Sequence, residues 1–231
     1  SGVKEGQWHT LGASDGLPDA AVTDMVQDRE GFLWFATDGG GVARFDGTNF
    51  LRLTEDDGLA SNRVMAVATD DEGRLWFGTW GGGLSRYDGQ SFVTYTEQDG
   101  LVSNWLWDVL VDRSKAVWVA SEGDGVSRWH GDRFTTFLQD QDQISSIVAD
   151  GEGRLWFAGP TGAVSHWDGS AIARSEAGQF PDILSGAAAA DGIWFGDSDG
   201  QAARYTDGHF EVLSLETMHP RRAVESIAVD E

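Results

Sequence analysis

The chain has 231 residues, of which 40% are hydrophobic, so it is long and apolar enough to build a sizeable core, and disorder is excluded. Its formal charge of −22, from 16 Lys and Arg against 38 Asp and Glu, repels polyphosphates and excludes DNA and RNA as partners. The absence of Cys excludes disulfides, thiolate metal sites and Cys nucleophiles.

The first predicted element is a short strand at the beginning of the chain. Residues 6–11, with the sequence GQWHTL, match the segments GTNFLRLT and GQSFVTYT that close later repeats. We therefore predict an outer strand here. No apolar run in the chain approaches the ~20 residues of a membrane helix, so we expect no membrane span.

A repeat of 38 to 42 residues follows and fills most of the chain. Each copy contains a segment such as RLWFGTWGGGLSRYDG, and within it four short apolar runs are separated by turn residues, as in AVTDMVQD, FLWFATD, GVARFDG and NFLRLT. The copies are centred on Trp34, Trp76, Trp118, Trp156 and Trp194. Four short strands per copy are typical of the blades of a β-propeller, and a solenoid is the alternative.

The turn before each of these Trp residues carries an Asp, namely Asp28, Asp70 and Asp150 in three copies. This Asp resembles half of a calcium loop, but no D-x-D-x-D spacing follows, so an Asx turn is predicted. We expect each Trp to be buried against the next blade and to share one face of its strand with a Phe or Val two residues on. Burying one Trp removes about 150–250 Å² from water, worth about 4–6 kcal/mol before entropy is subtracted.

The glycine run at residues 81–83 could be a phosphate cradle or a turn. A phosphate-binding loop needs a helix after it, to supply aligned N–H groups. Here the sequence LSRYD, a strand pattern, follows the run. The run is therefore predicted to connect the second and third strands of its blade, with Gly supplying positive φ.

The chain ends in a segment that matches the first strand of a repeat. Residues 223–231, AVESIAVDE, align with RVMAVATDDE, which predicts an inner strand at residues 224–230. The fold class is thus all-β, a propeller of four-stranded antiparallel blades with five complete units, a terminal outer strand and a terminal inner strand, and residues 1–231 are one domain or part of one.

The two terminal strands leave three arrangements open. Five blades could close with the extra strands over the seam, two chains could complement each other, or the chain could belong to a larger propeller. Because exposed strand edges are costly and sticky, we favour the last two together, and self-association through residues 7–11 and 224–230 is expected.

The pattern GL-x-S-N to GGGLSRYDG at residues 58–89 resembles the two-component regulator propeller repeat, and the resemblance weakens in the fourth and fifth units. It implies an extracytoplasmic, periplasmic sensor region of a bacterial signalling protein that recognises a nutrient, often a glycan fragment. Streptogramin B lyase, a propeller enzyme with a catalytic His and a magnesium site, is similar more distantly. No His-x-x-His or His–Glu pair matches it here, so we predict no catalytic residue, no metal and no cofactor.

The candidate ligand site lies where the units differ at fixed positions. The position of Ala21 holds Arg63 and Trp105 in the next two units, and the position of Asp38 holds Trp80 and Glu122. Both positions fall on one face of the propeller, which suggests that these side chains answer to a ligand and not to packing. The predicted ligand-binding residues are Asp24, Arg63, Trp80, Trp105, Trp107, Asp108 and Glu122, with Asp124 beside them.

Stacking platforms beside polar groups suit sugars or aromatic ligands, although Trp105 and Trp107 could instead plug the central channel. The five His residues are scattered and predicted to lie at surfaces or edges: His9, His130, His166, His209 and His219. A ligand-sensing propeller is the first hypothesis. The alternatives are a lyase or hydrolase with a divalent metal held by carboxylates, and a protein-interaction scaffold that uses exposed Trp as anchors.

Overall fold

The computed structural model describes residues 10–138, 143–174, 180, 182–213, 223–224 and 226–227. In these residues the repeat forms five four-stranded antiparallel sheets, each with its strands side by side in chain order. The predicted all-β fold, with one propeller-like blade per sequence unit, is therefore confirmed. The strands of the first sheet are β1 (Val22–Gln27), β2 (Leu33–Thr37), β3 (Gly41–Phe45) and β4 (Phe50–Leu53).

The remaining sheets repeat this plan. The second sheet contains β5 (Val64–Thr69), β6 (Leu75–Thr79), β7 (Gly83–Tyr87) and β8 (Phe92–Tyr95). The third contains β9 (Leu106–Val111), β10 (Val117–Ser121), β11 (Val126–Trp129) and β12 (Phe134–Phe137). The fourth contains β13 (Ser146–Ala149), β14 (Leu155–Ala158), β15 (Val164–Trp167) and β16 (Ile172–Arg174). The fifth contains β17 (Ile183–Ala189), β18 (Gly192–Asp197), β19 (Ala202–Thr206) and β20 (His209–Leu213).

Single turns of 3₁₀-helix precede the inner strands of the first three sheets, at Ala13–Asp15, Glu55–Asp57 and Glu97–Asp99. Their acidic residues close the turn locally, as when the backbone N–H of Thr54 donates to Asp57 Oδ2 at 2.8 Å. Gly58 then ends the second turn with φ 101°, in the left-handed region that favours glycine. Each of these turns lies in the connection that leads into the inner strand of its sheet.

The repeat Trp residues pack forward, against the next sheet. Trp34 belongs to a buried cluster that contains Val64 and Phe77 of the second sheet, and its ring lies 6.1 Å from that of Phe77. Trp76 packs in the same way with Leu106 of the third sheet. Trp34, Trp76 and Trp118 are buried, as predicted, whereas Trp156 and Trp194 are only partly buried.

The expectation that each Trp shares a face with its neighbouring Phe is wrong. Trp76 and Phe77 are adjacent in β6, and adjacent residues of a strand point to opposite faces of the sheet. Trp76 therefore faces the third sheet, while Phe77 faces back onto Trp34 of the first. The Trp of one sheet and the Phe of the next thus meet in the same interface.

The Asx turns predicted before the Trp residues are confirmed. Asp70 Oδ1 accepts the N–H of Glu72 at 2.9 Å and that of Arg74 at 3.0 Å, and its Oδ2 accepts the indole N–H of Trp76 at 2.9 Å. The same indole bond joins Asp28, Asp112 and Asp150 to the Trp six residues on. Within the described ranges no group of three or more His, Asp or Glu residues could hold a metal ion.

The glycine run connects β6 to β7, as predicted. Thr79 pairs with Gly83 across the hairpin, and Gly81 and Gly83 have φ of 90° and 85°. A Cβ on Gly82 would lie 2.5 Å from the carbonyl oxygen of Ala60, so the run also allows a close backbone approach. A phosphate cradle is excluded here because a strand follows the run.

Val224 occupies the place of a sixth inner strand beside the fifth sheet. Its N–H donates to the Asp197 carbonyl at 2.8 Å, and its own carbonyl accepts from the Ser185 hydroxyl at 2.8 Å. Ile144 makes the corresponding N–H bond to Ser121 in the sheet before it. Residues 7–9 and most of 224–230 lie outside the described residues, so the terminal strands and self-association remain predictions.

Candidate functional site

Four of the predicted site residues, Arg63, Trp80, Trp105 and Glu122, lie in one row along the face where the second and third strands are joined. Within each of the first three sheets, the residue that precedes the inner strand accepts a backbone N–H from the residue that follows the second strand. Trp80 donates to the Arg63 carbonyl at 2.9 Å, and Glu122 to the Trp105 carbonyl at 3.0 Å. Bridges between sheets pair Asp38 with Arg63 and Trp80 with Trp105, which makes the row continuous.

Three indole rings meet in this row. Trp80 lies 5.1 Å from Trp105, nearly perpendicular to it at 81°, and 4.6 Å from Trp107. Trp105 is 46% exposed, whereas Trp80 and Trp107 are partly buried. We call the surface formed by Arg63, Trp80, Trp105 and Trp107 the aromatic surface.

A glycine fixes the position of the most exposed ring. A Cβ on Gly81 would lie 3.4 to 3.6 Å from three ring atoms of Trp105, so this indole rests directly on the Gly81 backbone. Any side chain at position 81 would compete with the ring for this space. Trp105 is therefore placed by the hairpin of the second sheet, although it belongs to the third.

Arg63 closes one end of the aromatic surface. Its Nε donates to Asp38 Oδ1 at 2.7 Å, and its guanidinium carbon lies 5.8 Å from the Trp80 ring centroid. The hydrogen bond from Arg63 to Asp38 raises the pKa of the arginine, which stays charged. Both side chains are exposed, so the pair contributes little to stability, but it orients the guanidinium beside the indole. Asp38 was not among the predicted ligand-binding residues, although it occupies the repeat position that holds Trp80 and Glu122 in the next two units.

Asp24 and Asp108 lie on the inner strands and connect neighbouring sheets. Asp24 Oδ2 accepts the N–H of Val67 at 2.8 Å, and Asp108 Oδ2 accepts the N–H of Ile147 at 2.7 Å. Their carboxylates are thus engaged with the backbone of the next inner strand. The structure gives these two predicted ligand residues a structural contact that the sequence pattern did not reveal.

Burial perturbs both carboxyl groups. Desolvation raises the pKa of Asp108 to about 7, against the opposing effect of the Ile147 N–H, and the charge of Asp24 raises it further. Desolvation likewise raises the pKa of Asp24, and the N–H groups of Val67 and Met25 partly offset it. Asp108 therefore exchanges a proton near neutral pH.

The remaining predicted residues divide between the interior and the rim. Trp107 packs on Trp80, and its indole N–H is buried without an acceptor among the described residues. Glu122 and Asp124 are exposed in the turn between β10 and β11. The structure thus brings together Arg63 and the three Trp residues and places Glu122 at the end of the row.

The three histidines that the structure describes lie away from the aromatic surface. His166 is in β15, His130 follows β11, and His209 begins β20. His130 and His166 are in or beside third strands, as predicted, and His9 and His219 fall outside the described residues. The aromatic surface therefore offers stacking faces and one cation, which are the elements of a binding site.

The family comparison finds the two component regulator propeller at residues 16–39 and 58–81. These segments run from the 3₁₀ turn to the second hairpin in each of the first two units. These two segments thus match the two-component regulator propeller repeat, and the predicted resemblance is confirmed. A search of the curated proteins finds no match.

Solved structures share the fold. The extracellular domain of a protein assigned as a hybrid two-component system from B. thetaiotaomicron is 24% identical, with a TM-score of 0.74 over 88% of this chain and 31% of the other. A second such domain from B. thetaiotaomicron is 21% identical, with a TM-score of 0.78 over 100% of this chain and 34% of the other. This chain therefore spans about a third of the length of these proteins.

A propeller enzyme also shares the fold. Virginiamycin B lyase from Staphylococcus aureus, solved with quinupristin, is 16% identical, with a TM-score of 0.68 over 89% of this chain and 74% of the other.

In the part of the chain that the structure describes, no helix has the length and apolarity needed to cross a membrane.

Proposed function

We propose that this chain is the propeller, or part of a larger propeller, of an extracytoplasmic sensor in a bacterial signalling system, and that it binds a polar ligand on the aromatic surface. The regulator propeller repeats and the shared fold of two extracellular sensor domains support the sensor role and the location outside the cytoplasm. The proposal assigns this chain the recognition step, with signal transmission left to other parts of the protein.

The observation that carries the binding site is the exposed indole of Trp105. A large apolar side chain that is 46% exposed is held in a defined position, over Gly81 and against Trp80. A ring that only filled space between sheets would be buried, as Trp76 is. An ordered, exposed ring beside a guanidinium provides a stacking platform with a polar edge.

The charge of the chain limits the ligand. A formal charge of −22 disfavours large polyanions, so a neutral or cationic ligand is expected. An oligosaccharide meets these requirements, because its apolar ring face stacks on an indole while its hydroxyls bond to groups such as Arg63 and Glu122. Stacking adds about 0.5–1.5 kcal/mol per ring beyond the burial of area.

The test is a glycan screen read by Trp fluorescence, followed by calorimetry of each hit. Trp105→Ala should weaken binding by about tenfold or more, and Trp80→Ala combined with it should abolish binding. Leu51→Ala is the matched control, because Leu51 has a similar exposed fraction, 44%, on an outer strand. Binding by the Trp105→Ala variant with the affinity of the wild type would show that the ligand site lies elsewhere.

The same screen separates the alternative functions. Metal-dependent turnover of a bound compound would support the lyase or hydrolase hypothesis, for which the shared fold with virginiamycin B lyase is the reason. A screen without hits, combined with capture of a protein partner that requires Trp105, would support the interaction scaffold. Saturable glycan binding without turnover supports the sensor.

A further inference from the structure

A cavity lies between the fourth and fifth sheets, at the edge opposite the aromatic surface. It has a volume of about 610 Å³, within the range of small-molecule sites. It is bounded by the turns between first and second strands and by the third strands. We call it the basal groove, and its principal side chains are Asp150, Glu152, Arg154, Trp156, His166, Tyr205 and Asp207.

The basal groove opens where the repeat changes one residue. In the other sheets an Arg stands directly opposite the repeat Trp, as Arg128 does with its guanidinium 5.0 Å from the Trp118 ring. The fourth sheet has the shorter His166 at this position, with its ring 4.9 Å from that of Trp156. Trp118 is fully buried, whereas Trp156 remains partly exposed, although the guanidinium of Arg154 lies 5.5 Å from its ring centroid.

Two further departures widen the groove. At the turn position where Arg29 reaches Asp71 and Arg113 reaches the next sheet, the fourth unit has Gly151, which has no side chain to extend. The fifth sheet joins its first two strands through only Ala190 and Asp191, whereas the other sheets use a five-residue Asx turn. Three separate changes thus remove the groups that fill this space in the other interfaces.

The groove is acidic and aromatic. Arg154 is held by Asp150 at 2.7 Å and by Glu152 at 3.3 Å, and Asp207 adds a third carboxylate against this single guanidinium. The Glu152 side chain is 75% exposed, so its ion pair with Arg154 is weak and can exchange for one with a cationic ligand. Trp156 forms the floor, with the Tyr205 ring 5.6 Å away at 67°.

We propose that the basal groove binds a small organic cation with a flat apolar body, such as an aromatic or alkyl amidinium or ammonium compound. The flat body lies against the exposed part of Trp156, and the cationic head pairs with Glu152 and Asp207. Indole rings attract cations, and the excess of carboxylates adds to this attraction. The negative charge of the whole chain raises the local concentration of cations. This site is separate from the aromatic surface and independent of the proposed sensor function.

Three probes of the same shape test the charge selectivity: benzamidine, benzoate and benzyl alcohol. The signal is the indole N–H resonance of Trp156, which donates to Asp150 and is assigned by its loss in Trp156→Phe. Benzamidine should shift this resonance saturably, and benzoate should leave it unchanged. Glu152→Gln combined with Asp207→Asn should weaken benzamidine binding by about fivefold or more. Equal shifts with all three probes, or no shift with benzamidine, overturn the proposal.

The His166→Arg variant tests the groove itself, because it restores the Arg that stands opposite the repeat Trp in the other sheets. It should abolish benzamidine binding without lowering the melting temperature, whereas His166→Ala, which keeps the groove open, should still bind. His130→Arg adds the same charge outside the groove and should have no effect, as should Trp105→Ala on the aromatic surface. Unchanged binding by the His166→Arg variant would show that the site is not in this groove.

Discussion

Alanine substitution of a buried Trp should destabilise the protein far more than substitution of an exposed Trp, and the chain offers both environments for this residue type. Trp76 is fully buried, stacks on Tyr95 at a ring distance of 6.0 Å and donates its indole N–H to Asp70. Trp105 is 46% exposed. Trp76→Ala and Trp105→Ala therefore delete identical atoms from sites with different burial.

The cost of Trp76→Ala follows from this geometry. Burial of about 150–250 Å² at about 25 cal/mol per Å² corresponds to about 4–6 kcal/mol, and measured truncations of large aromatic residues cost about 3–5 kcal/mol. Loss of the indole donor also removes one hydrogen bond from Asp70, a carboxylate that is itself buried. We expect a loss of about 3–5 kcal/mol in the free energy of unfolding.

The assay is chemical and thermal unfolding followed by circular dichroism. For a domain of this size, about 1 kcal/mol shifts the melting temperature by roughly 2–4 °C, so Trp76→Ala should melt roughly 6–20 °C lower. Trp105→Ala should cost less than about 1 kcal/mol, the usual result for a surface substitution. Melting of Trp76→Ala within a degree or two of the wild type, or equal losses in the two variants, would refute the packing argument.

Three further outcomes are expected. Burial raises the pKa of Asp108 to about 7, so near neutral pH the folded state binds a proton that the unfolded state releases. The free energy of unfolding should therefore increase as the pH falls from about 8 to about 5. Urea melts at each pH should show this increase for the wild type and a flatter profile for Asp108→Asn. Circular dichroism should show predominantly β structure, and a helix content above about a quarter would contradict the five sheets. Deletion of residues 222–231 removes the hydrogen bonds of Val224 to the fifth sheet, so it should change the oligomeric state in light scattering or lower the melting temperature by several degrees. If neither changes, this segment contributes nothing to assembly or stability.

Much of the fold could be predicted from the sequence because the information is local and repeated. The 38 to 42 residue period gives the number of sheets, and short alternating runs between turn residues give the four strands of each. The Asx turn at Asp70 depends only on residues up to Trp76, and the hairpin at Gly81 to Gly83 is signalled by the strand that follows it. Each of these features forms within one unit.

The sequence indicated which residues of the candidate site share a face, but it did not indicate their contacts with other units, for a physical reason. The repeat alignment placed Arg63, Trp80 and Trp105 on one face, because equivalent positions of a repeat occupy equivalent places in its sheets. It could not show that Asp24 and Asp108 bond to the backbone of another unit. Residues 41 or more apart in sequence, such as Thr23 and Val64, come into contact only when sheets pack, and no local pattern records that contact.

The sequence by itself thus determined the five complete blades of this protein, with their four strands, their tight turns and the burial of Trp34, Trp76 and Trp118. Only the tertiary structure decided what the interfaces between blades contain. It set Trp105 on Gly81 of the preceding sheet, desolvated the Asp108 carboxyl, and left Trp156 partly exposed where His166 replaces an Arg. The reason is that strand and turn formation depend on neighbours along the chain, whereas burial, pKa and open space depend on the side chains that two packed sheets bring together.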